Sequence, residues 1–127
     1  MFRYIKFAHL GVTDQNRALQ FWRDKVGFKL EIDTDYDGNG WRWIEFSVPG
    51  AQTRLLFEPA EGATGSESSP ALVFIVENVE KLAAQLKSRG VAFTTEPKAA
   101  PWDAREMIAL FRDSEGNIIQ IGARKAA

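Results

Sequence analysis

The stretch KFAHLGVTDQNRALQFWRDKVG, residues 6–27, decides how the rest of the chain is read. Its first half alternates: Phe7 and His9 share one face, and Ala8, Leu10 and Val12 share the other, as strand side chains do. Its second half changes period. Asp14 is a natural N-cap, Ala18, Leu19, Trp22 and Val26 recur at helical spacing, and Gly27 stops the pattern. The opening unit is therefore a strand, YIKFAHLGV (4–12), running into a helix, and His9, the only histidine of the chain, stands on the strand face that the helix leaves uncovered.

Beyond the acidic loop DTDYDGNG (33–40), two alternating runs, WRWIEFSV (41–48) and TRLLFEP (53–59), join through PGAQ as a hairpin, which gives residues 1–59 the order β-α-β-β-β. The Gly-, Ser- and Pro-bearing stretch AEGATGSESSP (60–70) reads as a linker. The order then starts again. ALVFIV (71–76) is a strand and NVEKLAAQLKSRG (78–90) a helix with Asn78 as cap and Gly90 as stop; VAFTTEP, REMIALF and NIIQIG supply three strands, with DSEG as a turn. An offset of 64 residues superimposes Val12 on Val76, Asp14 on Asn78, Trp43 on Met107 and Leu56 on Gln120. The chain thus reads as a single α+β domain, 1–127, of two β-α-β-β-β modules, 1–59 and 71–123, forming a curved mixed sheet whose uncovered faces line a cleft.

At 127 residues, 45% apolar and 26% charged, the chain can bury a core of its own. A net charge of −1 provides no basic footprint for nucleic acid or an anionic membrane, and no apolar run approaches the roughly 18 residues of a span. The absence of cysteine excludes disulfides, thiolate zinc sites and a cysteine nucleophile, and fits a cytoplasmic protein. No Ser-His-Asp spacing, phosphate-cradling loop or dinucleotide fingerprint is present, so no catalytic residue is assigned. A small organic molecule is the expected partner.

Strand alternation assigns the cleft. Ile44, Phe46, Leu55 and Phe57 belong under the helix, which leaves Phe7, His9, Trp43, Glu45, Arg54 and Leu56 toward the cleft. The second module is expected to add Leu72, Phe74, Met107, Ala109 and Gln120, with Trp102 in the loop KAAPWDARE closing over the mouth. Aromatic walls with a few convergent polar groups suit a flat ligand, with Glu45 directing a cationic one. Glu45 and Arg54 have a competing use as an ion pair across the hairpin, and the tryptophans as core packing. Asp33, Asp35 and Asp37 share a face if extended, but without the full calcium-loop pattern they read as a solvated turn.

The pattern V-T-D-x-x-R-A-L-x-F-W-x-x-K-V-G-F (12–28), with F-R-D-S-E-G-N-I-I-Q (111–120), resembles the vicinal oxygen chelate superfamily of glyoxalase I, bleomycin resistance proteins and extradiol dioxygenases. The resemblance spans nearly the whole chain and implies paired modules and, commonly, a homodimer. In metal-dependent members it places the ligands at positions that here hold Phe7, Leu56, Leu72 and Gln120. Three are hydrocarbons and the fourth is an amide, so the expectation is no metal and no cofactor. The chain most resembles the bleomycin-resistance branch, which sequesters an aromatic or antibiotic-like ligand. The alternatives are a lyase, isomerase or dioxygenase with relocated ligands, or His9 and Glu45 as acid and base, and a protein-interaction module whose cleft is filled by its own side chains.

Overall fold

A computed structural model describes residues 1–124 and divides the chain into two compact units, the first ending at Gly62 and the second opening at Ala63, inside the expected linker.

The first unit comprises β1 (Phe7–Val12), α1 (Gln15–Gln20), a π-helical segment (Phe21–Val26), β2 (Lys29–Asp35), β3 (Arg42–Ser47) and β4 (Arg54–Pro59). Its strands lie in the order β1-β4-β3-β2, with β1 parallel to β4 and the other pairs antiparallel. Asp14 caps α1 by accepting from the Arg17 N–H at 3.1 Å, which satisfies one of the orphan donors of the first turn. One face of the sheet carries the buried Leu10, Val12, Ile44, Phe46, Leu55 and Phe57, and the helix contributes Ala18, Leu19, Phe21 and Trp22 to the core.

The helix departs from a simple 3.6-residue repeat. At Phe21 the backbone widens into π turns, and the Gly27 and Phe28 N–H groups both bond to the Trp22 carbonyl, at 3.1 and 2.9 Å. The inserted residue lets the adjacent rings of Phe21 and Trp22 both turn inward, edge to face at 5.6 Å, and leaves Val26 only half-buried. Gly27, at φ 91°, then ends the helix in the left-handed region.

The second unit comprises β5 (Leu72–Ile75), α2 (Val79–Ser88), β6 (Phe93–Ala100), β7 (Asp103–Arg112) and β8 (Ile118–Arg124), with strand order β5-β8-β7-β6. Asn78 caps α2 through the Lys81 N–H at 3.0 Å, and Val79, Ala83 and Leu86 are buried along one side of the helix. The chain is therefore α+β, with two four-stranded mixed sheets of the same topology.

The repeat holds in register at one seam and slips at the other. Ala8↔Leu55 in the first sheet and Leu72↔Ile119 in the second stand 64 residues apart on both strands. The β7–β8 turn, residues 113–117, is one residue shorter than the β3–β4 turn, residues 48–53. A one-residue slip exchanges the faces of a strand, so Glu45↔Leu56 has its counterpart in Leu110↔Gln120 rather than in Ala109↔Gln120.

Residues 63–70, expected to be soft linker, are instead tied to the second sheet. Thr64 donates from its N–H to Asn117 Oδ1 at 2.8 Å and accepts from the Ile118 N–H at 3.1 Å, and the Ala71 N–H donates to the Ile118 carbonyl at 2.8 Å. The loop KAAPWDARE also contracts: Lys98–Ala100 belong to β6 and Asp103 opens β7, leaving Pro101 and Trp102 as the turn.

Candidate functional site

The uncovered face of the first sheet gathers six of the expected residues. Pairing in register places Phe7 opposite Arg54, His9 opposite Leu56, and Glu45 opposite Leu56, and directly opposed residues project to the same side. Trp43 lies two residues before Glu45 on β3 and shares that side. The rings form a row: Tyr36 stacks on Trp43 at 5.4 Å, Trp43 meets Phe7 edge to face at 5.9 Å, and Phe7 meets His9 at 6.2 Å.

Glu45 sits beside this row, only 5% exposed, and its carboxylate is fully engaged. One oxygen accepts from Trp43 Nε1 at 2.6 Å and the other from Arg54 Nη1 at 3.0 Å. The ion pair across the hairpin is thus formed, and the carboxylate is not left open to direct a cationic ligand. Arg54 remains partly exposed and, with Tyr4, Lys6, Ile32, Glu45 and Ser47, lines a hollow of about 510 Å³. His9 and Glu58, both half-exposed, pair through Nδ1 and Oε2 at 3.3 Å, so the carboxylate partner of His9 is Glu58 and not Glu45.

The second sheet corrects four expectations. Gln120 is opposed by Val73 on β5 and by Leu110 on β7. Leu72 and Phe74 pair with the buried Ile119 and Ile121 and so belong to the opposite face. Met107 pairs with Ala123 and lines a separate hollow with Asn78, Val79 and Glu80 at the start of α2. Ala109, fully buried, opposes Ile121 on that same covered side. In their place Val73, Ile108 and Leu110 share the face of Gln120, and with Lys98 and Trp102 they line a hollow of about 600 Å³. Trp102 is exposed at its rim, with Nε1 donating to Glu106 Oε2 at 2.8 Å.

The sequence reading passed over Tyr36, Ile32 and the Val73, Ile108 and Leu110 set. Tyr36 had a signal, since a hairpin closed by DGNG brings it near Trp43. Ile32 had none: a bulge between Leu30 and Ile32 puts Leu30 opposite the buried Phe46 and Ile32 opposite Glu45. For Val73 the 64-residue offset applied to His9 was the available signal.

The donor set does not fit a catalytic divalent metal. Phe7 and Leu56 are hydrocarbons, as are Leu72 and the Val73 that takes its place on the face of Gln120, and Gln120 has only an amide oxygen to give. Among the described residues, no three His, Cys, Asp or Glu side chains come together in a group able to hold a metal ion. The acidic trio is engaged elsewhere. Asp33 accepts two hydrogen bonds from Arg42, at 2.9 and 2.8 Å, which hold its carboxyl below the usual aspartate range despite partial desolvation. Asp35 and Asp37 accept from the N–H groups of Gly38 and Asn39, both at 2.9 Å.

The family profile described as Glyoxalase/Bleomycin resistance protein/Dioxygenase superfamily matches residues 4–121. The uncharacterized protein YetH of Bacillus subtilis (strain 168) is 34% identical over 119 residues, covering 93% of this chain and 96% of that protein. Among solved structures, TnmS3, an antibiotic binding protein from Streptomyces sp. CB03234, is similar with a TM-score of 0.78 and 27% identity over 98% of each chain. A superfamily member from Sphaerobacter thermophilus DSM 20745 superimposes with a TM-score of 0.80 and 28% identity, covering 97% of this chain and 98% of its own. With two β-α-β-β-β units and a profile match along nearly its full length, the chain belongs to the glyoxalase/bleomycin resistance protein/dioxygenase superfamily.

Proposed function

We propose that this protein binds a small aromatic molecule without a metal or other cofactor and works by holding it rather than by transforming it. The observation that carries the reading is the ring row Tyr36–Trp43–Phe7 beside the closed Glu45–Arg54 pair. Such a surface offers stacking area, and the partly exposed guanidinium adds a polar contact that fixes orientation. Hydrocarbons at Phe7 and Leu56 remove the Lewis acid that lyase or dioxygenase chemistry would require, and the likeness to an antibiotic binding protein points to sequestration. A cysteine-free chain suits the reducing cytoplasm. A homodimer is part of the proposal, supported by the exposed Val73 and Ile75 on the edge strand β5, and light scattering tests it.

The experiment is a screen of flat aromatic compounds, including antibiotics, followed by tryptophan fluorescence. Quenching by a subset of compounds, weakened in Trp43→Ala, is the expected result. Equal responses of wild type and variant place binding elsewhere and overturn the assignment to this face.

A second reading, acid–base catalysis, is favoured by one observation, the carboxylate-oriented imidazole of His9 against Glu58. Turnover of any bound compound that is lost in His9→Gln would establish it.

A further inference from the structure

Gln120 is 7% exposed, and its side-chain amide has no hydrogen-bond partner among the described residues. The reason is its setting. Val73 and Leu110 stand directly opposite it on the neighbouring strands, and Ile108 lies one step further along the same face, so hydrocarbon borders the amide on both sides. The amide is not sealed off from solvent, and with no protein partner it depends on water or a ligand for its hydrogen bonds. What exposure it retains opens into the hollow of about 600 Å³ that these residues floor, a size within the roughly 300–1,000 Å³ of small-molecule sites.

We infer that this hollow is a binding site for a flat, neutral compound that presents a hydrogen-bond donor and an acceptor side by side, as a carboxamide, lactam or imide does. The inference rests on the reading of the chain as a small-molecule binder and adds the chemistry that the second unit selects. A primary amide offers one N–H and one C=O along a single edge, so only a ligand edge with the complementary pair satisfies both. A carboxylate accepts from the N–H but sets its second oxygen against Gln120 Oε1. A ketone leaves the Gln120 oxygen unsatisfied. Lys98 and Glu67 both line the hollow, so its rim carries one charge of each sign and suits a neutral ligand. Trp102, tethered at its Nε1 by Glu106, presents its ring as a stacking wall.

The test titrates isotope-labelled full-length protein with naphthalene carboxamide, the corresponding methyl ketone and the corresponding carboxylate, and follows amide resonances by NMR. The Gln120 side-chain NH₂ pair is assigned by its loss in Gln120→Met, a substitution that keeps shape and removes the amide. The carboxamide should bind tightest and move that pair, and Gln120→Met should weaken it about tenfold while changing the ketone far less. Equal binding of all three probes, or shifts confined to the first unit, overturn this inference and leave the proposed function standing. If no aromatic probe perturbs any resonance, both fall.

Discussion

The guanidinium of Arg54 donates to the buried carboxylate of Glu45 at 3.0 Å, across the β3–β4 hairpin. This contact neutralises the buried carboxylate beside Trp43, and so sets the charge at that point of the surface a ligand would meet. Removing one partner from a buried pair strands the other. Arg54→Met should therefore cost about 1–3 kcal/mol, less than a fully buried pair because Arg54 is partly exposed. Adding Glu45→Gln should recover part of that loss. Urea unfolding of the two single variants and the double variant measures the coupling, and simple additivity would mean the contact contributes nothing.

Metal content follows from the donor set. Phe7 and Leu56 have no lone pair to give, so nickel, zinc, manganese and iron(II) should add no stability. An ion bound to the folded state alone at a hundred times its Kd would add about 2.7 kcal/mol, a shift that thermal melts resolve. Elemental analysis after purification should find less than one equivalent of transition metal. One equivalent, lost in His9→Ala, would revive the metalloenzyme.

How far the sequence could be read depends on which signal each element carried. The caps at Asp14 and Asn78 and the alternation of Leu10 and Val12 against Phe7 and His9 are local, and the structure has them as read. The faces of Leu72 and Phe74 follow from the same 64-residue offset, which sets them on Ala8 and Leu10 of the covered face. The face of Met107 was not local: it depends on the register of β7 against β8, set by a turn one residue shorter than its counterpart, which composition does not reveal. Gly65 makes the same point for the linker. At φ 91°, with an added Cβ only 2.6 Å from the Ala71 nitrogen, it belongs to a fitted strap, although Gly-Ser content alone reads as slack. The Glu45–Arg54 pair lay between these cases: visible as an option from strand alternation, and decided only by side-chain geometry.

Acid should favour the folded state through Asp113. Burial pushes its carboxyl above the ordinary value of 3.8, and the hydrogen bonds from Asn117 and Glu115 offset this only in part. A carboxyl more easily protonated when folded than when unfolded means that the folded state holds more protons in the window just above 3.8. Stability must then fall as pH rises through that window, and Asp113's contribution is most favourable below it. Asp113→Asn should flatten this part of the profile, whatever fixed cost it carries in the bonds to Asn117. Urea unfolding at a series of acidic pH values compares the two proteins, and parallel profiles would refute the assignment.

Ligand charge provides the sharpest test of the first unit's face. Were Glu45 open, a cationic aromatic would gain a charge-assisted hydrogen bond worth roughly 1.5–3 kcal/mol over its neutral isostere, more than tenfold in affinity. In the structure both oxygens are already taken, by Trp43 Nε1 and Arg54 Nη1. A cation must therefore displace Arg54 and pass the positive charge of Lys6 at the edge of the same hollow, which cancels its gain. Wild type should accordingly show no preference between an aromatic amine cation and its neutral isostere, stacking being common to both. Arg54→Met should release one carboxylate oxygen and create a preference for the cation of about tenfold, while Tyr36→Ala, which removes a ring of the row and no partner of Glu45, should weaken both compounds alike. Calorimetric titration of the three proteins with the two compounds decides it, and a cation preference already present in wild type would mean that the pair opens in solution.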